Sequence, residues 1–330
     1  NETQSNNNYC YLPLALTNTV QCYQPDNLNG KFIDNVPLSD ITSSGDCSSY
    51  TAPTINPTNQ PGPQPINEQC PEQCQCFASK PGGPTSIVDC AGASYTSVPS
   101  DLPSTVRYLT LDSCQIASIK PSDFANLNML TEISMDYNQL TTIPANVFPS
   151  SLVGFSANAN QISSVDPKAF PSGLNKLSLS ANKLSGNLVL SDMQYLTNLK
   201  LNGNQITDLS SNSGGNYQYV QVAILSYNNF TGVPKVLKPN DCYTQSQIDL
   251  TANKIVALGA KDLAAPFEQL ILTSNQLNSF PENVFGDNTC VKNIALNYNN
   301  LNSISYGVFP SLYNLKKLDL SHNYLTTLPI

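Results

Sequence analysis

Leu196-Thr-Asn-Leu-Lys-Leu-Asn-Gly-Asn-Gln-Ile206 carries the pattern on which the rest of the chain is built. Leu199 and Leu201 stand two apart, the spacing of a strand that turns both side chains to one face. Asn204 follows three residues after Leu201, and Ile206 two residues later. The same frame recurs outward in both directions. An Asn, or once a Cys, stands at 114, 138, 160, 182, 204, 228, 253, 275, 299 and 323, with gaps of 22 to 25 residues. Five and three residues before it come pairs such as Leu109/Leu111, Ile133/Met135, Leu177/Leu179, Leu270/Leu272, Ile294/Leu296 and Leu318/Leu320. Two residues after it comes Ile116, Leu140, Ile162, Leu184, Phe230, Ile255, Leu277, Leu301 or Leu325, and ten after it, in half the repeats, Phe124, Phe148, Phe170, Phe285 or Phe309. A period of this length, sustained from about residue 106 to the end, is the mark of a repeat architecture.

One such repeat cannot bury its own apolar face. Stacked in parallel, each Leu, Ile or Phe hides against the neighbouring coils and contributes roughly 1.5–3 kcal/mol. The polar position closes the strand, because a short amide can satisfy backbone groups of its own bend and of the next coil. The expected ladder is Asn138, Asn160, Asn182, Asn204, Asn228, Asn253, Asn275, Asn299 and Asn323, with Cys114 as a buried free thiol in the first place. Ten coils at about 4.8 Å each make an array roughly 50 Å deep.

Composition narrows the function. Of 330 residues only 12% are charged, against about 25% in an ordinary soluble protein, and Asn, Ser and Thr supply the polarity instead. Lys and Arg total 15 and are scattered, the net charge is −8, and a phosphate backbone would find no basic cluster, so no nucleic-acid partner is expected. No apolar run reaches the 18 or so residues of a membrane span. Ten cysteines point to an oxidising compartment. Asn1-Glu-Thr3 and Asn229-Phe-Thr231 are N-glycosylation sequons, and the weaker Asn-x-Cys form stands at Asn8, Asn240 and Asn288. Asn1 reads as a terminus left by signal cleavage. A secreted or extracellular-surface protein is expected.

Three regions follow. Residues 1–69 read as an Asn-rich, then Pro-rich arm and linker, with Thr51-Ala-Pro-Thr-Ile-Asn-Pro57 and Gln60-Pro-Gly-Pro-Gln-Pro65 extended in polyproline fashion. Residues 70–105 hold the cysteine cluster Cys70-x3-Cys74-x-Cys76-x13-Cys90, and residues 106–330 hold the ten repeats. Cys22–Cys47 is the bond that loop length suggests in the arm, leaving Cys10 over. Cys242 and Cys290 approach coils two apart, about 10 Å by strand spacing. A disulfide needs Cα atoms within about 7 Å, so these two should not pair unless loops bulge toward each other.

The repeat Leu-x-x-Leu-x-Leu-x-x-Asn-x-Leu resembles the extracellular leucine-rich-repeat family of Toll-like receptors, leucine-rich proteoglycans and plant ectodomains, over about residues 70–330. The resemblance implies an α/β-type repeat solenoid, with a curved parallel β-sheet and a mostly irregular or 3-10 convex side. It implies that the cysteine cluster is the amino-terminal cap, with Cys70 bonded to Cys76, Cys74 to Cys90, and Ser86–Cys90 an antiparallel strand over the first coil. Asn182-Lys-Leu-Ser-Gly186 and Asn228-Asn-Phe-Thr-Gly-Val-Pro234 look like the plant variant, whereas Ile143-Pro144 and Phe148 look like the animal one. Repeat seven departs most, with Gln245 at an aliphatic position. The carboxy-terminal cysteine cap usual in the family does not follow Leu325, so the last coil is expected to expose its leucines and a parallel edge strand unless further sequence or a neighbouring chain covers it.

The concave surface is expected from residues six, four and two positions before each ladder residue. Tyr108, Asp112, Asp136, Lys200, Asp249 and Asp319 fall on it, and Tyr137, Tyr227 and Tyr298 flank it. Its functional reading is a shallow surface for a polar ligand such as a glycan. The plainer reading, favoured by the shortage of Trp, Tyr and Arg anchors, is a soluble strand face. Asp112 and Asp136 could hold a cation between coils, but two carboxylates are poor calcium ligation, and a solvated acidic patch is the better reading. His322, the single histidine, stands where residue type varies freely and reads as an exposed spacer. No catalytic pair, metal set or cofactor motif is read. Two functions remain. One is a structural, adhesive protein whose copies join end to end through the arm and the last coil, giving a fibril or matrix. The alternative is the recognition ectodomain of a cell-surface receptor that binds protein or glycan on the concave face.

Overall fold

In the computed structural model, residues 70–78, 83–243, 245–304, 308–309 and 312–327 are described, with three short strands nearer the start. The chain divides into two units, Asn1–Gly62 and Pro63–Ile330. In the first, β1 (Tyr9–Tyr11), β2 (Thr19–Tyr23) and β3 (Val36–Pro37) form an antiparallel sheet with Cys10 opposite Cys22. Cys47 and its expected bond to Cys22, the proline-rich linker and the Asn1 and Asn8 sequons lie outside the described residues.

The second unit is the solenoid. Its main sheet has twelve strands. Two belong to the cysteine-rich cap, β4 (Gln75–Ala78) and β5 (Thr85–Asp89). Ten belong to the coils: β6 (Tyr108–Thr110), β7 (Glu132–Ser134), β9 (Gly154–Ser156), β11 (Lys176–Ser178), β13 (Asn198–Lys200), β15 (Val222–Ile224), β16 (Gln247–Asp249), β17 (Gln269–Ile271), β18 (Asn293–Ala295) and β19 (Lys317–Asp319). Register is unbroken: Leu109, Ile133, Phe155, Leu177, Leu199, Ala223, Ile248, Leu270, Ile294 and Leu318 stand opposite one another in one column. Every member but Leu318 is buried, because the strand period of two sends these residues to the same inner face. Phenylalanines fill the far side. Phe148 lies 5.7 Å from Phe124, 5.6 Å from Phe170 in a stacked pair, and 4.5 Å from Phe155.

Where the phenylalanine is missing, the convex side changes. After Asn182 and Asn204 the chain forms β12 (Ser185–Leu190) and β14 (Gln205–Ser211), a parallel pair joined across adjacent coils. Buried Tyr217 closes the space behind them by donating its hydroxyl to Ser191 O at 3.0 Å. The similar sequence after Asn228 makes turns instead of a third such strand. Earlier coils contribute only the two-residue β8 (Thr142–Ile143) and β10 (Ser164–Val165), and a 3-10 turn at Pro121–Asp123.

In the cap, Cys70 bonds Cys76 and Cys74 bonds Cys90, with Cα separations of 5.9 and 4.2 Å. The direction of its inner strand corrects an expectation. β5 is antiparallel only to β4 and runs parallel to β6, with Val88 opposite Leu109. Residues 90–107 between them are a crossover only slightly shorter than those between coils, and a crossover of that length delivers a parallel strand.

A second correction concerns Cys242 and Cys290, which are bonded with Cα atoms 5.5 Å apart. Strand spacing misled because neither cysteine is on a strand. Cys242 sits in the loop of the longest repeat, and the corresponding stretch of the coil between the partners is the small-residue run Ala264-Ala265-Pro266. Buried Asn288 draws the loops together by donating Nδ2 to Leu263 O at 3.0 Å and Ala265 O at 2.7 Å. Gln245 donates its backbone N–H to Glu268 Oε2 at 2.9 Å, and Glu268 pairs with Lys292. The departure of repeat seven from the apolar frame is thus part of this junction. Asn288 is spent inside the protein, so its sequon offers no accessible amide.

Candidate functional site: the concave face

The ladder sets the geometry of this face. Asn182 Nδ2 donates to Ala157 O of the preceding coil at 2.9 Å and to Leu179 O of its own at 3.0 Å. Its Oδ1 accepts the Ile162 N–H at 2.9 Å, which joins three backbone groups through one amide. The reach into the preceding coil recurs at Asn138, Asn160, Asn204, Asn228, Asn253, Asn275, Asn299 and Asn323. At the first position buried Cys114 turns its thiol to Cys90 O at 3.4 Å, and burial pushes that thiol's pKa up.

The residue just before the ladder varies in type but not in backbone. Ser113, Tyr137, Ala159, Ala181, Gly203, Tyr227, Ala252, Ser274, Tyr298 and His322 all have φ between 52 and 69°. Each left-handed residue through Tyr298 donates its N–H to the carbonyl of the residue two before the next ladder position, Tyr137 to Asn158 O at 2.9 Å and Tyr227 to Thr251 O at 2.8 Å among them. His322 is exposed, as expected, and shares the left-handed bend. Its ring lies flat on that of Tyr298, with centroids 4.1 Å apart and planes within 7°.

Behind this bend runs a second chain of hydrogen bonds, absent from the sequence reading. Asp112 Oδ1 accepts from Ser134 Oγ and from the Asp136 N–H, both at 2.7 Å. Asp136 Oδ1 accepts from Ser156 Oγ at 2.6 Å and the Asn158 N–H at 2.7 Å. Asn158 Oδ1 accepts from Ser178 Oγ at 2.7 Å and the Ser180 N–H at 2.8 Å, and Ser180 Oγ donates to Asn202 Oδ1 at 2.6 Å. The acidic patch, expected to be solvated, is instead half-buried and bonded into the following coils. Each carboxylate caps backbone and hydroxyl donors of the following coil. Burial, reinforced by Asp136, raises the Asp112 carboxyl from 3.8 to about 6 despite these bonds. Asp249 and Asp319 act locally, each accepting the N–H two residues on, Thr251 at 2.9 Å and Ser321 at 3.0 Å. No group of three His, Cys, Asp or Glu suited to a metal occurs among the described residues.

The nine surface residues singled out in sequence thus separate. Tyr108 and Asp249 are half-buried on β6 and β16, Asp112 and Asp136 are half-buried two residues past β6 and β7, and Asp319 belongs to the edge strand. Lys200 is exposed. Tyr137, Tyr227 and Tyr298 are 59%, 66% and 53% exposed and form the rim at the carboxyl ends of the strands. Glu132, not singled out, lies across Gly154, whose missing side chain leaves room: a Cβ there would stand 3.3 Å from Glu132 Cγ. Burial raises its pKa against the opposing pull of Lys176. Asn229, the described sequon, is half-buried directly after a ladder residue.

Two family models match this architecture: a BspA-type leucine-rich-repeat region over residues 104–219 and a leucine-rich repeat over 265–325. Mouse podocan is 26% identical over 229 residues, which cover 67% of this chain and 36% of podocan. Bovine asporin is 30% identical over 119 residues, 36% of this chain and 30% of asporin. Human leucine-rich repeats and immunoglobulin-like domains protein 1 is 27% identical over 219 residues, 66% of this chain and 15% of its own length. The chain thus spans well under half of each of these relatives. Among solved structures, a chain of the octameric complex of Latrophilin 3, Unc5D and FLRT2, in which FLRT2 supplies the leucine-rich repeats, superposes with a TM-score of 0.58, 19% identity and 78% of each chain covered. The leucine-rich-repeat domain of APL1B gives 0.53, 19% identity, 74% of this chain and 77% of that one. At these identities the two structures speak to the fold.

Proposed function

The chain belongs to the leucine-rich-repeat family, and on that footing we propose that it is an extracellular, non-catalytic scaffold that holds a protein partner against its concave face. Three cystines in the described residues suit an oxidising compartment. No helix among the described residues is long and apolar enough to cross a membrane. The observation that carries the reading is the pairing of an internally satisfied floor with an exposed tyrosine rim. Asp112, Asp136, Asn158 and Ser180 already hold partners from the next coil, so covering them strips few bonds to water. Tyrosine is the side chain most enriched, with Trp and Arg, where binding energy concentrates. FLRT2, whose fold this chain shares, assembles with Latrophilin 3 and Unc5D. Binding of the chain to an array of extracellular proteins, repeated with a Tyr137→Ala, Tyr227→Ala, Tyr298→Ala variant, tests this. Partners should be lost or weakened roughly tenfold in the variant. Partners indifferent to all three changes would remove the concave face from the account.

Self-association is the second reading. The outer side of β19 leaves Leu318 and Leu320 half-buried, whereas the same columns in inner coils are buried. A further coil of the same chain or a coil of a second copy would cover them alike. Sedimentation over a wide concentration range decides: growing particles support end-to-end assembly, and a monomer throughout ends it.

A further inference from the structure

At the opposite ends of the strands, where each strand begins, the solenoid carries another row of side chains. Tyr195 and Tyr219 each stand three residues ahead of their strands, β13 and β15. Parallel stacking of the coils therefore sets them side by side. Their rings are 6.1 Å apart between centroids and within 19° of parallel, yet 58% and 42% exposed. Tyr243 stands four residues ahead of β16 in the next coil, and burial, with Tyr219 adding to it, raises its hydroxyl's pKa. One residue before each of the first two tyrosines is an exposed glutamine, Gln194 and Gln218.

The row is held firmly. Asn175 Nδ2 donates to Tyr195 O at 2.8 Å, and Gln194 donates its N–H to Ser172 O at 3.1 Å. Asn240 donates its N–H to Gln218 O at 2.9 Å and its Nδ2 to Gln218 Oε1 at 3.1 Å. Two large aromatic faces are thus kept in water on a rigid backing, where burying them would stabilise the fold.

The chemistry of the surroundings selects the occupant. Between residues 184 and 243 the exposed large apolar side chains, among the described residues, are Tyr195, Tyr219 and Tyr227, and Tyr227 belongs to the other edge. A protein interface would surround its aromatic anchors with further apolar surface, and none is present here. From 184 to 243 the basic residues are Lys200, on the concave face, Lys235, paired with Asp262, and Lys238, set against Asp192, Asp208 and Asp241, so there is no basic cluster of the kind that holds sulfated or phosphorylated chains. A ring face is the negative pole of its quadrupole and takes the polarised C–H face of a sugar ring, while a primary amide offers two donors and an acceptor to hydroxyl groups. We propose that Tyr195 and Tyr219, with Gln194 and Gln218, form a docking strip for a neutral glycan chain, one sugar ring on each tyrosine. This strip is separate from the concave face and does not depend on it.

Electrophoresis of the whole chain through gels containing a soluble β-1,3-glucan, hydroxyethylcellulose, galactomannan or heparin tests the assignment. Retardation by at least one of the three neutral polymers is expected. Tyr195→Ala with Tyr219→Ala should require roughly tenfold more polymer for the same retardation. Tyr195→Phe with Tyr219→Phe should keep the retardation, since the ring supplies the contact, and Tyr137→Ala with Tyr227→Ala should leave it unchanged. An unaltered thermal melt in the alanine pair separates lost binding from lost folding. Three outcomes overturn the proposal: no retardation by any neutral polymer, retardation by heparin alone, or an alanine pair retarded like the parent. A protein from the extracellular array that needs Tyr195 and Tyr219 while the neutral polymers do not would assign the strip to a protein instead.

Discussion

A left-handed backbone costs a side chain with a Cβ roughly 1 kcal/mol, yet only one of the ten residues that precede the ladder is glycine. The conformation persists because the bent residue's N–H meets a carbonyl of the next coil and the ladder amide behind it bonds three more backbone groups. Residue identity is therefore free while geometry is not, and tyrosines can be displayed there at a fixed angle. The same economy has a cost at Asp112. Its carboxyl is held at about 6, above the 3.8 of an exposed aspartate, chiefly by burial. The folded protein then binds a proton more tightly than the unfolded chain, so stability contributed by protonated Asp112 is full below about pH 4 and lost as pH rises through about 6. Asp112→Asn keeps an oxygen for Ser134 and the Asp136 N–H. Urea unfolding should show it more stable by on the order of 1 kcal/mol at pH 7.5 and no different near pH 4. Equal stabilities at both values would contradict the buried, proton-binding aspartate.

Single coils are not self-sufficient elements; each is completed by its neighbours, and the junction of repeats seven to nine shows how far a loop can depart from the frame when bonds replace packing. Cys242–Cys290 closes a loop spanning 48 residues, which by chain entropy contributes about 4 kcal/mol against the unfolded state. Replacing both with Ser should lower the denaturant midpoint and raise hydrogen exchange first across 239–290. Unchanged protection there would show the bond to be dispensable. This junction was also where sequence reading failed. The columns of Leu199, Leu201 and Asn204 repeat ten times, and a strand period of two together with stacking leaves little choice of architecture. A disulfide between loops depends on the path each loop takes outside the strands, and no periodicity encodes that. The Asp112-to-Asn202 bonds were hidden differently, since each member is an ordinary polar residue at an outward position. The Tyr195 and Tyr219 pair is legible in principle, as two tyrosines one period apart at the same offset from a strand, although that offset lies outside the columns that the repeat frame marks.

Over the whole molecule, stability is a sum of coils and of the interfaces between them, so the position of a defect decides its effect. Asn204→Ala would leave the Leu184 N–H without its acceptor and take one of two amide donors from Leu179 O and from Leu201 O, which keep Asn182 and Asn228, in the middle of the array, at a cost of about 1–3 kcal/mol. Its denaturation curve should broaden or split as the two flanking halves uncouple. Asn323→Ala, in the last described coil, should cost less and only fray that end, so the same curve shape for both variants would argue against a linear array. Pulled from its two ends, a solenoid pays out thread one winding after another, each released at modest force. The covalent rivet between Cys242 and Cys290 cannot slip, so the span it encloses stays reeled in however hard the rest is drawn. Under oxidising tension the molecule therefore has a stop built into its extension, and a reductant lengthens it.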